Sequence, residues 1–213
     1  MTRNKPKMMQ PVSVGDIYPV VRKSKKKDVL QGFKLTVTYD GFIPNNSKKL
    51  SQMGLISGGR GSKWTFIESD TKKHQTVVEY FFRNGLFMPE PLNRANKLRD
   101  NVQGMIDNFK PVSVSEVHPK YNQDFFGELY VVGYSVTLSY PMAAQNNPYF
   151  KQFIAQQKPK VGGISCNQNA KVVYVEYLFT DKKAVDLDDV RHNAQMFQVC
   201  MAAIARKRYE NTK

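Results

Sequence analysis

Pro11-Val-Ser-Val-Gly-Asp-Ile-Tyr-Pro19 returns in the same chain as Pro111-Val-Ser-Val-Ser-Glu-Val-His-Pro119, an offset of 100 residues. Further matches follow in order. Gly32-Phe-Lys-Leu-Thr-Val-Thr-Tyr39 corresponds to Gly133-Tyr-Ser-Val-Thr-Leu-Ser-Tyr140 at an offset of 101, and Asn45-Asn46 to Asn146-Asn147 at the same offset. Val78-Glu-Tyr80 corresponds to Val175-Glu-Tyr177, and Arg94 and Asn96 to Arg191 and Asn193, both at 97. Matches that keep their order and drift by only a few residues mark a tandem duplication, and an internal repeat sets the architecture.

The repeated unit reads as strands followed by a helix. A first extended segment is expected at about 11–21 and again at 111–118. Phe33, Leu35, Val37 and Tyr39 alternate with Lys34, Thr36 and Thr38; Tyr134, Val136, Leu138 and Tyr140 alternate with Ser135, Thr137 and Ser139. Strict period two with one polar face predicts a half-buried strand. A loop follows in each copy, with a short helix near 47–53 and 148–156. Third strands are predicted at 62–69 and 161–166, and fourth strands at 75–83 and 171–180.

Each unit closes with a helix. Pro91 suits a first helical position, and Ala95, Leu98, Val102, Met105 and Phe109 then fall on one face. In the second copy Asp186 is the expected N-cap, with Asp188 and Asp189 beside the positive helix end. Val190, Ala194, Phe197, Met201 and Ile204 repeat the apolar spacing.

The fold class is therefore α+β: a duplicated β-β-β-β-α unit, two antiparallel sheets packed with two helices. The boundaries are a basic arm at 1–10, a first repeat at 11–110 and a second at 111–213. The junction Asn108-Phe-Lys-Pro111 is too short and apolar for a flexible linker, so one pseudo-symmetric domain is expected.

Charge narrows the function. Of 213 residues, 32 are Lys or Arg and 18 Asp or Glu, a formal +14. Residues 1–110 hold +11 of that surplus and 111–213 only +3. Such a balance favours a polyanionic partner, nucleic acid first and anionic membrane second. Hydrophobic residues at 41% permit a packed core. The two cysteines, Cys166 and Cys200, allow one disulfide but make no disulfide framework, and the preferred reading is two reduced, partly buried thiols. No signal peptide or membrane-spanning run is read, so the expectation is an intracellular protein, cytoplasmic or nucleoid-associated, with a virus-infected cell as one fitting setting.

Three stretches carry possible contacts. Gly58-Gly-Arg-Gly-Ser-Lys-Trp64 offers glycines for close phosphate approach, charge from Arg60 and Lys63, and Trp64 to stack on a base. Its alternative is a glycine turn leading into a strand with Trp64 in the core. It lacks P-loop spacing. Arg22-Lys-Ser-Lys-Lys-Lys27 places Arg22, Lys23, Lys25, Lys26 and Lys27 in a hairpin loop, fit for phosphate contact or merely solvated. The second copy has Tyr121-Asn-Gln-Asp-Phe-Phe126 there, a packing or partner surface. Lys34, Lys72 and Lys73 complete the set of candidate phosphate contacts, and Arg3, Lys5 and Lys7 form the basic arm.

The fourth strands are apolar on both faces, so both are expected to be covered, by the helix on one side and by protein or stacked bases on the other. Glu79 and Glu176 share a repeat position. They are either a carboxylate pair or partners for neighbouring Lys or Arg, and the second reading is preferred. His74, His118 and His192 are scattered and no catalytic motif occurs, so no enzyme, metal or cofactor is expected.

The doubled β-β-β-β-α order resembles the Whirly and PUR-repeat families of single-stranded nucleic-acid-binding proteins. The resemblance rests on element order; the Whirly Lys-Gly-Lys-Ala-Ala-Leu signature is absent. It implies two units packed into one module that binds single strands along its sheets. The expectation is a non-enzymatic protein that binds single-stranded DNA or RNA and self-associates. The alternatives are a viral or phage assembly protein contacting nucleic acid, and a nucleic-acid-directed enzyme or inhibitor.

Overall fold

The computed structural model describes residues 8–24, 27–41, 55–59, 62–85, 90–157, 159–180 and 186–210. The chain divides into two compact units, Met1–Ile106 and Asp107–Lys213. Unit 1 holds strands β1 (Gln10–Val14), β2 (Tyr18–Arg22), β3 (Val29–Asp40), β4 (Ser62–Asp70) and β5 (Gln75–Arg83), then helix α1 (Pro91–Asn108). Unit 2 holds β6 (Ser113–Val114), β7 (His118–Gln123), β8 (Leu129–Pro141), short helices α2 (Met142–Gln145) and α3 (Phe150–Ala155), β9 (Lys160–Asn167), β10 (Val172–Phe179) and α4 (Leu187–Glu210).

Both sheets are antiparallel and share one topology: β1-β3-β5-β4 with β2 also on β3, and β6-β8-β10-β9 with β7 also on β8. The α+β duplication read from the sequence is thus seen strand for strand. The short helix expected near 148–156 is α3; its counterpart near 47–53 lies outside the described residues.

The first extended segment is not one strand. It breaks in two in each unit, and both pieces pair with the same long strand. Val14 pairs with Val37 and Tyr18 with Lys34, so residues 15–17 on the edge face only 35 and 36 on β3. Val114 pairs with Leu138 and His118 with Ser135, which repeats the same one-residue excess. An extra residue bends an edge strand as a bulge does. Gly15 and Ser115 hold the kink, their amides donating to the Thr36 and Thr137 carbonyls at 2.9 Å.

Alternation then builds the cores. Leu35, Val37 and Tyr39 lie beside Val78, Tyr80 and Phe82, all fully buried. Val136, Leu138 and Tyr140 lie beside Val173, Val175 and Tyr177 in the same way. The other faces of β5 and β10 are only half-buried at Val77, Glu79 and Phe81 and at Tyr174, Glu176 and Leu178. One face of each of these strands is core, and the other is half-buried.

The helices start where their signals lie. Pro91 opens α1, whose Ala95, Leu98, Val102 and Met105 are buried. Asp186 caps α4, its Oδ1 accepting from the Asp188 amide at 2.8 Å. Helix α4 packs on β6, β8 and β10, and Phe197 meets Tyr177 and Phe179 at ring distances of 5.3 and 5.5 Å. At its end the apolar face runs through Ala205, which is buried, not Ile204, which is 39% exposed. Spacings of three and four both continue a helical stripe, and the sheet's edge selects between them. In unit 2, Phe150 and Phe153 of α3 close around Tyr140 and Phe109.

Candidate nucleic-acid interface

Strand register places one cross-strand row on the open face of the first sheet. Tyr18 pairs with Lys34, Lys34 with Phe81, and Phe81 with Lys63. Residues directly opposite one another share a face. Four adjacent strands thus present Tyr18, Lys34, Phe81 and Lys63 in line, spanning about 15 Å at ordinary strand spacing. Tyr18 is 42% exposed, Phe81 half-buried and Lys63 exposed.

Glu79, diagonal to Lys34, organises one half of the row. Lys34 Nζ lies 2.7 Å from Glu79 Oε1, and the Tyr18 hydroxyl donates to Glu79 Oε2 at 2.7 Å. Burial pushes the Glu79 carboxyl up, but the hydrogen bonds from Lys34 and Tyr18 and the Lys34 charge outweigh it, so it titrates below its ordinary value. The Tyr18 phenol is pushed up to about 12 by its hydrogen bond to Glu79, by burial and by the Glu79 charge. Lys63 has no ion-pair partner among the described residues. The row therefore offers an aromatic platform flanked by a cation held in place (Lys34) and a cation free to engage an anion (Lys63).

Glu176, at the matching place in unit 2, is paired with Lys120 at 2.5 Å. Each carboxylate thus has its own cation, drawn from β3 in one unit and from β7 in the other. The preferred sequence reading of the two glutamates as partners for neighbouring Lys is what the structure contains.

The other candidates divide by position. Arg22, Lys23 and Lys27 are exposed at the β2–β3 hairpin, at the same end of the sheet as Phe81 and Lys63. Lys72 and Lys73 lie in the β4–β5 turn at the opposite end, about 20 Å away along β5. There Asp70 Oδ1 accepts from both their amides, at 2.9 and 3.0 Å, and Asp70 Oδ2 lies 3.9 Å from Lys73 Nζ. Lys25, Lys26 and Arg60 lie outside the described residues, as do Arg3, Lys5 and Lys7. Met8 is buried and Gln10 opens β1.

Trp64 does not share a surface with Lys63. Successive residues on a strand point to opposite faces, and Trp64 pairs with Tyr80 on the core side, where it is half-buried. Ahead of it, Gly59 is tied to Ser57 and Ser62. Ser62 Oγ donates to the Gly59 carbonyl at 2.7 Å, the Gly59 amide donates to Ser57 Oγ at 3.2 Å, and Gly59 has φ +79. The Gly59 amide is thus already used by Ser57. The sequence left open whether Trp64 stacks on a base or packs in the core; its register puts it on the core side, and Tyr18 and Phe81 are the rings on the other face. The signal was present in the alternation of β4 itself, which sends Lys63 and Trp64 apart.

Among the described residues no group of three or more His, Cys, Asp or Glu is placed to hold a metal ion, and no helix is long and apolar enough to cross a membrane. Compared with family models, curated proteins and solved structures, the chain matches none of them. Function therefore rests on the residues themselves.

Proposed function

We propose that this protein binds single-stranded nucleic acid, without catalysing its conversion, along the open face of the first sheet. The observation that carries this reading is the row Tyr18–Lys34–Phe81–Lys63. Bases stack on Phe81 and Tyr18, a contact available to any base because every base has a π-face. Phosphates meet Lys63 and the nearby Arg22, Lys23 and Lys27, an interaction without sequence preference. The +11 of residues 1–110 supports placing the site in the first unit, and the element order shared with Whirly and PUR-repeat proteins points the same way as an analogy of fold.

Fluorescence anisotropy with matched single-stranded DNA, duplex DNA and RNA, titrated with salt, tests this. Preference for single strands, with log K falling by about 0.7 per log unit of salt for each phosphate neutralised, is the expected result. Equal weak binding to every polyanion, lost at moderate salt, counts against it. A second reading, an assembly component that meets nucleic acid, draws on the exposed aromatic hairpin of unit 2.

A further inference from the structure

The β7–β8 hairpin carries the most exposed large apolar side chains among the described residues: Phe125 at 98%, Phe126 at 87%, Leu129 at 69% and Tyr121 at 60%. It is held in a fixed shape. Asp124 Oδ1 accepts from the amides of Phe126 and Glu128, both at 2.9 Å. The Asp124 amide donates to the Glu128 carbonyl at 3.0 Å, and Gln123 Nε2 donates to the Gly127 carbonyl at 2.9 Å. Gly127, at φ +88, takes the backbone position that disfavours a side chain. The two phenyl rings stand edge to face at 5.8 Å. A turn whose backbone is fixed in this way, with two rings projecting from it, suits a docking element.

Charge selects the partner. Asp124 and Glu128 flank the rings, and Lys120 is already paired with Glu176. An acidic rim opposes nucleic acid and anionic membrane and favours a basic surface. This chain supplies one at the matching place in its repeat. The β2–β3 hairpin exposes Arg22, Lys23 and Lys27 around a single acid, Asp28. Its strands expose Val21, Val29 and Leu30 at 46%, 39% and 38%. Both arms bulge at the same repeat step, Val20/Val21 and Lys120/Tyr121. One arm is aromatic with an acidic rim; the other is aliphatic with a cationic rim.

We propose that the β7–β8 hairpin docks on the β2–β3 hairpin of a second copy of this chain, so that copies associate head to tail. Apolar arm meets apolar arm, carboxylates meet cations, and Arg22 and the lysines add cation–π contact with the rings. A single contact leaves one arm unused on each copy, so the association closes as a reciprocal dimer or a larger ring, or grows into an open chain. This inference does not depend on nucleic-acid binding; because Arg22, Lys23 and Lys27 serve either a phosphate or the second copy's carboxylates, the two compete.

Sedimentation velocity on the full chain, freed of nucleic acid, tests it. The expected result is a mass that rises with concentration above the monomer, and a Phe125→Ser/Phe126→Ser variant that needs at least about tenfold more protein to associate, the equivalent of 1.4 kcal/mol. Glu128→Lys and Lys27→Glu each weaken association when alone. Mixing the two single variants restores it, because the new cation on the β7–β8 arm of one copy then meets the new carboxylate on the β2–β3 arm of the other. Unchanged thermal melting of each variant shows that the fold is intact. A monomer at every concentration overturns the proposal, as does association indifferent to Phe125→Ser/Phe126→Ser. Loss of vesicle or single-strand binding in that variant, with the protein monomeric throughout, assigns the hairpin to those partners and also overturns it.

Discussion

The hydroxyls of Tyr39 and Tyr80 lie 2.6 Å apart in the buried core of the first unit, and the repeat places Tyr140 and Tyr177 in the same relation in the second. The two pairs are not equally satisfied. Tyr80 also donates to the Ile56 carbonyl at 2.9 Å, whereas the buried Tyr177 hydroxyl makes no well-formed hydrogen bond among the described residues and has only a weak interaction with the Tyr140 hydroxyl. Burial pushes the Tyr177 phenol up to about 12 against a smaller lowering by its interaction with Tyr140, and burial, then the charge of Tyr177 and a hydrogen bond to it, raise Tyr140 well above its ordinary value. The duplication thus kept a polar pair in both cores and completed its bonding in one.

That asymmetry gives unequal expectations for one substitution. Tyr80→Phe removes a bond to Tyr39 and leaves the Ile56 carbonyl unpaired, at a cost of about 1–3 kcal/mol. Tyr177→Phe removes a hydroxyl whose only interaction is a weak one with Tyr140, so the loss is expected to be smaller, below about 1 kcal/mol. Urea unfolding of both variants reads the difference. Equal losses mean that Tyr177 is as well bonded as Tyr80.

Glu79 makes stability sensitive to acid. Its folded carboxyl titrates below the ordinary 4.5. A depressed carboxyl contributes stability that is present above its unfolded value and is lost as pH falls through its folded one. Wild type is therefore expected to exceed Glu79→Gln in stability at neutral pH, with the gap closing below about pH 4. Tyr18 has the opposite sign: its raised phenol, about 12, contributes stability present below 10 and lost as pH rises through 12. Thermal melts across pH, with Tyr18→Phe alongside, check both limbs.

Much of this fold was legible because its signals are local. The alternation at Leu35, Val37 and Tyr39 and the helix starts at Pro91 and Asp186 depend on neighbours in sequence, and each is found where it was read. The break at 15–17 was not legible. Gly15-Asp16 hints at a bulge in the first copy, but Ser115-Glu116 stands there in the second; the kink they share is set by register against the long strand, about twenty residues away. The site shows the same divide. Lys34 and Lys63 were named from charge, but Phe81 enters their row only through pairing across three strands, and β5, apolar on both faces, does not announce which face stays open.

The row makes a sharp distinction between two aromatic residues. Phe81→Leu keeps an apolar side chain on the open face but removes the stacking surface, and is expected to weaken single-strand binding by about 1–3 kcal/mol with little change in melting. Lys63→Ala is expected to lower the salt slope by about 0.7. Trp64, on the opposite face, is expected to change little in fluorescence when a strand binds. Anisotropy and intrinsic fluorescence on the same samples decide this. Strong quenching of Trp64 with Phe81→Leu binding normally moves the site to the other face.

Gly32 and Gly133 test the duplication itself. They stand at matching places in β3 and β8, and at each a β-carbon would overlap a backbone carbonyl of the adjacent strand, that of Phe82 or that of Phe179. A carbonyl in a ladder has no rotamer to escape to, so the strands must part locally to admit a methyl group. Such overpacking costs about 1–3 kcal/mol, with a further contribution from backbone angles of +155 and +159. Gly32→Ala and Gly133→Ala are each expected to lower the unfolding midpoint, in contrast to Gly163→Ala on β9, where the nearest neighbour is 4.0 Å away. Hydrogen exchange localises the damage: Gly32→Ala should loosen the β3–β5 ladder, and Gly133→Ala the β8–β10 ladder. If Gly32→Ala is tolerated as well as Gly163→Ala, the close approach of β3 and β5 at Phe82 is not a feature of the folded protein.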